Sequence, residues 1–192
     1  SYWLHKGDEK DRNMIPFPNK KYNIIYADPA WYFKTYSNKG EKRSAIQHYN
    51  CMSIDDICNL PINSICDDDC MLFLWVIDPM LPEAIKVIES WGFKYKTVAF
   101  TWVKKNKKSD NYFTGMGYYT RSNPEMCLLA TKGKPKRLSK SVRQLIISRL
   151  QQHSKKPDEI RDRIIDLCGD LPRIELFARQ KVEGWDSWGN EV

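Results

Sequence analysis

The residues best suited to chemistry are Asp28, Pro29, Ala30 and Trp31, which follow the apolar run Tyr22–Ala27 in the stretch NIIYADPAWYF. An aspartate at the end of a buried strand keeps an ionised carboxylate in a cleft. Pro29 donates no backbone proton, so the carbonyls beside it add to a cluster of acceptors. Trp31 and Tyr32 bring flat apolar faces, on which a nucleobase stacks with about 1–3 kcal/mol per base. A target that presents two hydrogens on one nitrogen together with a π face suits this set, and the exocyclic amino group of adenine is such a target. The same two residues read alone, Asp28-Pro29, are also good turn chemistry that would simply end a strand.

The elements that must position this loop follow from the rest of the chain. Its 192 residues fit one domain, with residues 1–20 as an arm punctuated by Pro16 and Pro18 and residues 21–192 as the folded unit. Tyr22–Ala27 is the first strand, and the polar stretch NKGEKRSAIQ after it is long enough to be a mobile element over a site. MSIDDICNLP reads as a short helix capped by Ser53, with Asp56 three residues on. CMLFLWVI, 70–77, reads as a central strand covered on both faces, and PEAIKVIESW as a helix opened by Pro82 and closed by Gly92. KTVAFTWVK and EMCLLATK are further strands, LSKSVRQLIISRL (138–150) a helix, PDEIRDRIIDLCG a helix with an apolar stripe of Ile160, Ile164, Leu167 and Cys168, and RIELFA a last strand before a Trp-rich tail. The alternation predicts an α/β domain with a mainly parallel sheet and helices on both faces. Ligands bind such sheets at the carboxyl ends of their strands, where Asp28 lies.

Composition narrows the partner. Thirty-one Lys and Arg against 24 Asp and Glu give a formal charge of +7, which favours a polyanion. Between Met126 and Pro157 there is no acid, whereas Lys132, Lys134, Lys136, Arg137, Lys140, Arg143, Arg149, Lys155 and Lys156 are basic, and KKNKK at 104–108 adds a second run. The two runs together predict a track for a phosphate backbone, with Arg143 carried on a helix toward a groove. No window is apolar enough for a membrane span, and the first residues lack the apolar core of a signal peptide, so an intracellular, cytoplasmic protein is expected. The six cysteines contain no C-x-x-C pair, which predicts reduced thiols and no metal site; Cys66 and Cys70 bracket three aspartates in what reads as a solvated turn.

Asp28-Pro29-Ala30-Trp31 resembles the D-P-P-W motif of the adenine-N6 methyltransferases related to the catalytic subunit of the eukaryotic messenger-RNA adenosine methyltransferase, a family with short bacterial and phage members. Further matches follow in order: HYNCMSIDDI, LFLWV, WGF, NPEMCLLATKG, HSKKPDEI and RIELFARQKVEGWDSWGNE. The resemblance covers residues 22–192. It implies a Rossmann-like class I methyltransferase fold that uses S-adenosylmethionine, permuted so that the catalytic motif precedes the cofactor motif and the usual glycine-rich cofactor loop is missing.

Carried over position by position, the resemblance implies catalysis by Asp28, Pro29, Ala30 and Trp31. It assigns the cofactor to Asp28, Lys156, Glu175, Arg179, Asn190 and Glu191, and the substrate to Trp31, His48, Tyr49 and Glu125. DNA is the expected acceptor, since the eukaryotic RNA enzymes carry extra RNA-binding modules; RNA methylation and a catalytically silent nucleic-acid-binding subunit are the alternatives, and homodimer and heterodimer are both open. Two departures bear on rate and affinity. Ala30 stands where the family has a second proline, adding a backbone N–H. The interval from Arg179 to Asn190 is short, with Lys181 and Val182 where the eukaryotic subunit has ribose contacts.

Overall fold

The computed structural model describes residues 15–31 and 52–192. Tyr32, His48, Tyr49 and the polar stretch 38–47 lie outside the described residues, as does most of the N-terminal arm. Seven strands form one sheet: β1 (Tyr22–Ala27), β2 (Cys66–Val76), β3 (Lys94–Lys105), β4 (Glu125–Lys132), β5 (Leu145–Arg149), β6 (Arg173–Leu176) and β7 (Asp186–Trp188). Their order is β5-β3-β4-β2-β1-β6-β7, and only the pairings of β4 with β2 and β3 are antiparallel. The sheet is therefore mostly parallel, with one strand reversed.

Alternation along the central strands sends side chains to two separate cores. Ile25, Ala27, Leu72, Leu74 and Val76 join the core under helices α1 (Ile54–Cys58) and α2 (Leu81–Ser90), through Ile57, Ala84, Val87 and Ile88. Ile24, Tyr26, Met71, Phe73 and Trp75 join the opposite core with Ile160, Ile164 and Cys168 of α3 (Glu159–Cys168). Burial on both faces explains why β2 is continuously apolar from Cys70 to Val76 rather than alternating. Ser53 caps α1 by accepting a hydrogen bond from the Asp56 N–H at 3.1 Å, and Gly92, at φ +85°, lets the chain turn off α2 into β3.

Two expectations fail. Residues 138–150 form no helix: the chain is irregular to Gln144 and then makes the edge strand β5, which pairs with β3 and buries Ile146. Cys66–Cys70 is no turn, because β2 starts at Cys66 opposite Tyr22 and is bulged before Met71 meets Ile24. The three acids point to solvent along that stretch, where the Asp69 carboxylate accepts from the Lys134 N–H at 2.8 Å. In the Trp-rich tail, Asp186–Trp188 adds β7 beside β6. Trp188 stacks on Phe17 and donates to the Ile15 carbonyl at 3.0 Å, tying residues 15–17 to the tail.

Candidate active site

The carboxyl ends of β1, β2, β3 and β6 and the amino end of β4 meet at one edge of the sheet. β1 delivers Asp28 there, β3 delivers Lys104, β4 delivers Glu125, β6 delivers Glu175, and the segment before α3 brings Lys156. Charges alternate along this edge. The Lys156 Nζ lies 3.1 Å from Asp28 Oδ2 and 3.2 Å from Glu125 Oε2, and Lys104 Nζ lies 2.7 Å from Glu125 Oε1. Both ammonium groups also sit over indoles, Lys156 over Trp75 at 5.6 Å and Lys104 over Trp102 at 5.3 Å.

Burial sets the proton affinities. It pushes the Asp28 carboxyl above the usual carboxylate range; Lys156 opposes this and Glu125 adds to it. Burial would raise Glu125 too, but Lys156 and Lys104 together outweigh it and hold that carboxyl below its ordinary value. For Lys156 burial favours losing the proton, yet Asp28 and Glu125 overcome that and keep the ammonium charged. One cation thus stabilises two carboxylates of opposite tendency, and Asp28 is the readier proton acceptor.

Beside Asp28 a cavity of about 280 Å³ opens, lined by Tyr26, Lys156, Arg161, Glu175, Phe177 and Arg179 among others. Arg161, in the first turn of α3, holds Glu175 through two hydrogen bonds, Nε to Oε1 at 2.6 Å and Nη2 to Oε2 at 3.2 Å. Trp75 donates from Nε1 to the Tyr26 hydroxyl at 2.7 Å, fixing that ring at the cavity wall. Beyond β7, on the same edge, both polar atoms of the Asn190 amide are buried with no hydrogen-bond partner among the described residues. A buried amide left in this state is costly unless something else supplies a donor and an acceptor.

The family model MT-A70 matches residues 22–191. The chain belongs to the MT-A70 methyltransferase family. It is 40% identical to the type II methyltransferase M.MunI of Mycoplasma sp. over 204 residues, covering 97% of this chain and 84% of that protein. It is 28% identical to the human N(6)-adenosine-methyltransferase catalytic subunit METTL3 over 176 residues, and 27% identical to the Arabidopsis thaliana N(6)-adenosine-methyltransferase MT-A70-like over 174. These alignments span 90% and 89% of this chain but only 28% and 24% of the two eukaryotic proteins.

Of the residues that the MT-A70 resemblance singles out, the fold brings Asp28, Glu125 and Lys156 into contact and sets Glu175 and Arg179 in the adjoining cavity. Asn190 is on the same edge and Glu191 follows it, exposed. Trp31 is placed differently from the expectation. At 5% exposed it packs in the core below α1 and α2, donating from Nε1 to the Trp75 carbonyl at 2.7 Å, so its face is not available to a base. Arg143 stands apart: with no helix to carry it, it precedes β5 and lines a separate recess with Arg163 and Asp166. The basic track divides as well. Lys132 pairs with Cys70 at the far end of β4, across the sheet from the site, whereas Lys104 and Lys105 end β3 beside it.

Sequence reasoning missed Lys104, Arg161 and Trp75. Lys104 lay inside a run read as a phosphate track, although its position two residues after Trp102 on a strand places both on one face. Arg161 carried no signal of its own, because its partner Glu175 comes from another element.

Proposed function

We propose that this chain transfers a methyl group from S-adenosylmethionine to the exocyclic N6 amino group of adenine in DNA, on a permuted class I methyltransferase fold. The observation that carries the proposal is the Asp28 carboxylate, 30% exposed at the mouth of the cavity and held through Oδ2 by Lys156. Adenine's amino lone pair is delocalised into the ring, so the nitrogen attacks poorly. An N–H donated to Asp28 and another to a carbonyl beside Pro29 favour the pyramidal nitrogen and place negative charge where positive charge develops. The raised proton affinity of Asp28 suits it to accept the proton that the methylated nitrogen sheds.

The residues present fit the cofactor. The Asn190 amide, buried without partners, needs a group with both a donor and an acceptor, which a ribosyl-adenine provides. Glu175, oriented by Arg161, can take hydroxyl donors, and Lys156 beside the amino end of α3 can face a carboxylate. Lys156, Glu175, Arg179, Asn190 and Glu191 are the residues that would hold it. When bound, S-adenosylmethionine supplies an electrophilic methyl group on a sulfonium.

Higher identity and fuller coverage with a type II methyltransferase than with the N(6)-adenosine enzymes support DNA over RNA as acceptor. His48 and Tyr49, expected near the target base, remain part of the proposal on resemblance alone. Methyl-labelled S-adenosylmethionine, offered with single-stranded DNA, duplex DNA and RNA, tests the reading. Label is expected in DNA, and none with Asp28→Ala. Absence of label in every polymer, with no heat of cofactor binding by calorimetry, refutes it.

A further inference from the structure

The long connection between β3 and β4, residues 106–124, has no role in the site as described, yet it springs from Lys105, next to Lys104, and returns to Glu125, the partner of Lys104. Connections of this length inside a compact domain are uncommon and tend to carry function. This one is built, not slack. Phe113 donates its N–H to the Lys104 carbonyl at 2.9 Å, and Gly115 and Ser122 exchange backbone hydrogen bonds at 2.7 and 3.3 Å. Asn123 closes the root: its side chain accepts from the Lys104 N–H and donates to the Lys104 and Phe113 carbonyls.

The tip is held in conformations that most residues avoid. Gly117 has φ +67°, and a Cβ there would collide with the Thr120 carbonyl. Tyr119 has φ +68° although it is a bulky aromatic. Its ring lies edge-to-face with Tyr118 at 4.7 Å and is 96% exposed, with Met116 at 70% and Tyr112 at 59%. A fixed aromatic group turned to solvent marks a contact surface. Lys107, Lys108 and Arg121 belong to the same segment, Lys105 Nζ sits 6.0 Å over the Tyr112 ring, and the segment's one acid, Asp110, is paired with Arg149 at 2.6 Å. A second copy of the chain would bring these cations against one another, whereas a strand of nucleic acid offers bases to the ring and phosphates to the lysines.

We propose that the tip of this hairpin stacks on an unpaired base of the DNA strand presented to the Asp28 site, with Tyr119 as the stacking face and Lys107 and Lys108 as phosphate contacts. The proposal rests on the reading of the acceptor as DNA. In duplex substrate, an unpaired base is available where the target adenine leaves the stack.

Fluorescence anisotropy with a labelled single-stranded deoxyoligonucleotide tests it, on the wild-type chain and on Tyr119→Ala, Tyr119→Phe and a Lys107→Gln/Lys108→Gln pair. Tyr119→Ala is expected to weaken binding between about 5- and 150-fold with the salt dependence unchanged. Tyr119→Phe is expected to keep wild-type affinity, and the lysine pair to lower the salt slope by about 1.4 on a single strand. All variants are expected to bind S-adenosylmethionine as the wild type does. If the wild type methylates DNA but Tyr119→Ala binds it unchanged, the hairpin proposal alone falls. A wild type that binds no DNA overturns the acceptor reading and the hairpin proposal with it. Loss of a dimer in Tyr119→Ala by size-exclusion, with DNA binding intact, assigns the tip to a second copy and also overturns the proposal.

Discussion

Glu125→Gln isolates the charge ladder without changing its shape. Glu125 neutralises Lys104 at 2.7 Å and shares Lys156 with Asp28 at 3.2 Å, and the three side chains are only 13%, 12% and 15% exposed for Lys104, Lys156 and Glu125. At an effective dielectric of about 20, unit charges about 3 Å apart attract by about 5 kcal/mol. Desolvation of the three groups offsets much of this. Removing one partner from a fully buried pair costs about 3–5 kcal/mol, and the residual exposure here lowers the expected cost to about 2–4 kcal/mol. For a domain of this size that is a fall in Tm of about 5–15 °C. The sign with pH follows from the same contacts. The Glu125 carboxyl is held below its ordinary value, so its contribution is present above the ordinary glutamate range and is lost as pH falls through the folded value. Melting followed by circular dichroism should therefore show a gap between wild type and Glu125→Gln at neutral pH that closes in acid. Equal Tm values at neutral pH, or a gap that widens in acid, would show that the Glu125 carboxylate does not stabilise the fold through Lys104 and Lys156.

Asp28→Asn should behave oppositely in stability. Burial raises the Asp28 carboxyl, so its charge weakens the fold as pH rises through its folded value, and Asn removes that cost; the expected outcome is an equal or higher Tm with methyl transfer reduced by about 100-fold or more. Arg161→Met strands the Glu175 carboxylate, 12% exposed, and is expected to cost about 2–4 kcal/mol in urea unfolding and to weaken cofactor binding by calorimetry. Ala30→Pro restores the family's residue and restricts the unfolded chain; a gain of about 0.4–1 kcal/mol and a faster turnover are expected, and loss of both would show that the loop depends on the Ala30 N–H.

The sheet's centre was legible because burial on both faces writes itself into β2 as an unbroken apolar run, and α2 and α3 because their apolar stripes have helical spacing. The edges were not. In 138–150, Val142, Leu145, Ile146 and Arg149 satisfy a helical period, and only the pairing of Leu145–Arg149 with β3, far away in sequence, makes that segment a strand. Asp67–Asp69 look like a turn because they are charged, yet the amino end of β2, solvated where β2 itself bulges against β1, tolerates them. The family motif singled out Asp28, Glu125, Lys156 and Glu175, which the fold gathers at one edge of the sheet, but not the contacts among them. Trp31 shows the limit most clearly: an aromatic beside an acidic strand-end loop reads as a base platform, and whether its face is open depends on what packs beneath the loop, here Trp75 and the core under α1 and α2.

The position of the methyl group and the polymer that carries it are read by incubating the wild-type chain with S-adenosylmethionine and DNA, digesting the product to nucleosides and resolving them by mass spectrometry. N6-methyl-2′-deoxyadenosine is expected from the wild type and none from Asp28→Ala. A methyl group on the cytosine amino nitrogen instead, or methyladenosine formed only when RNA replaces DNA, would contradict that expectation.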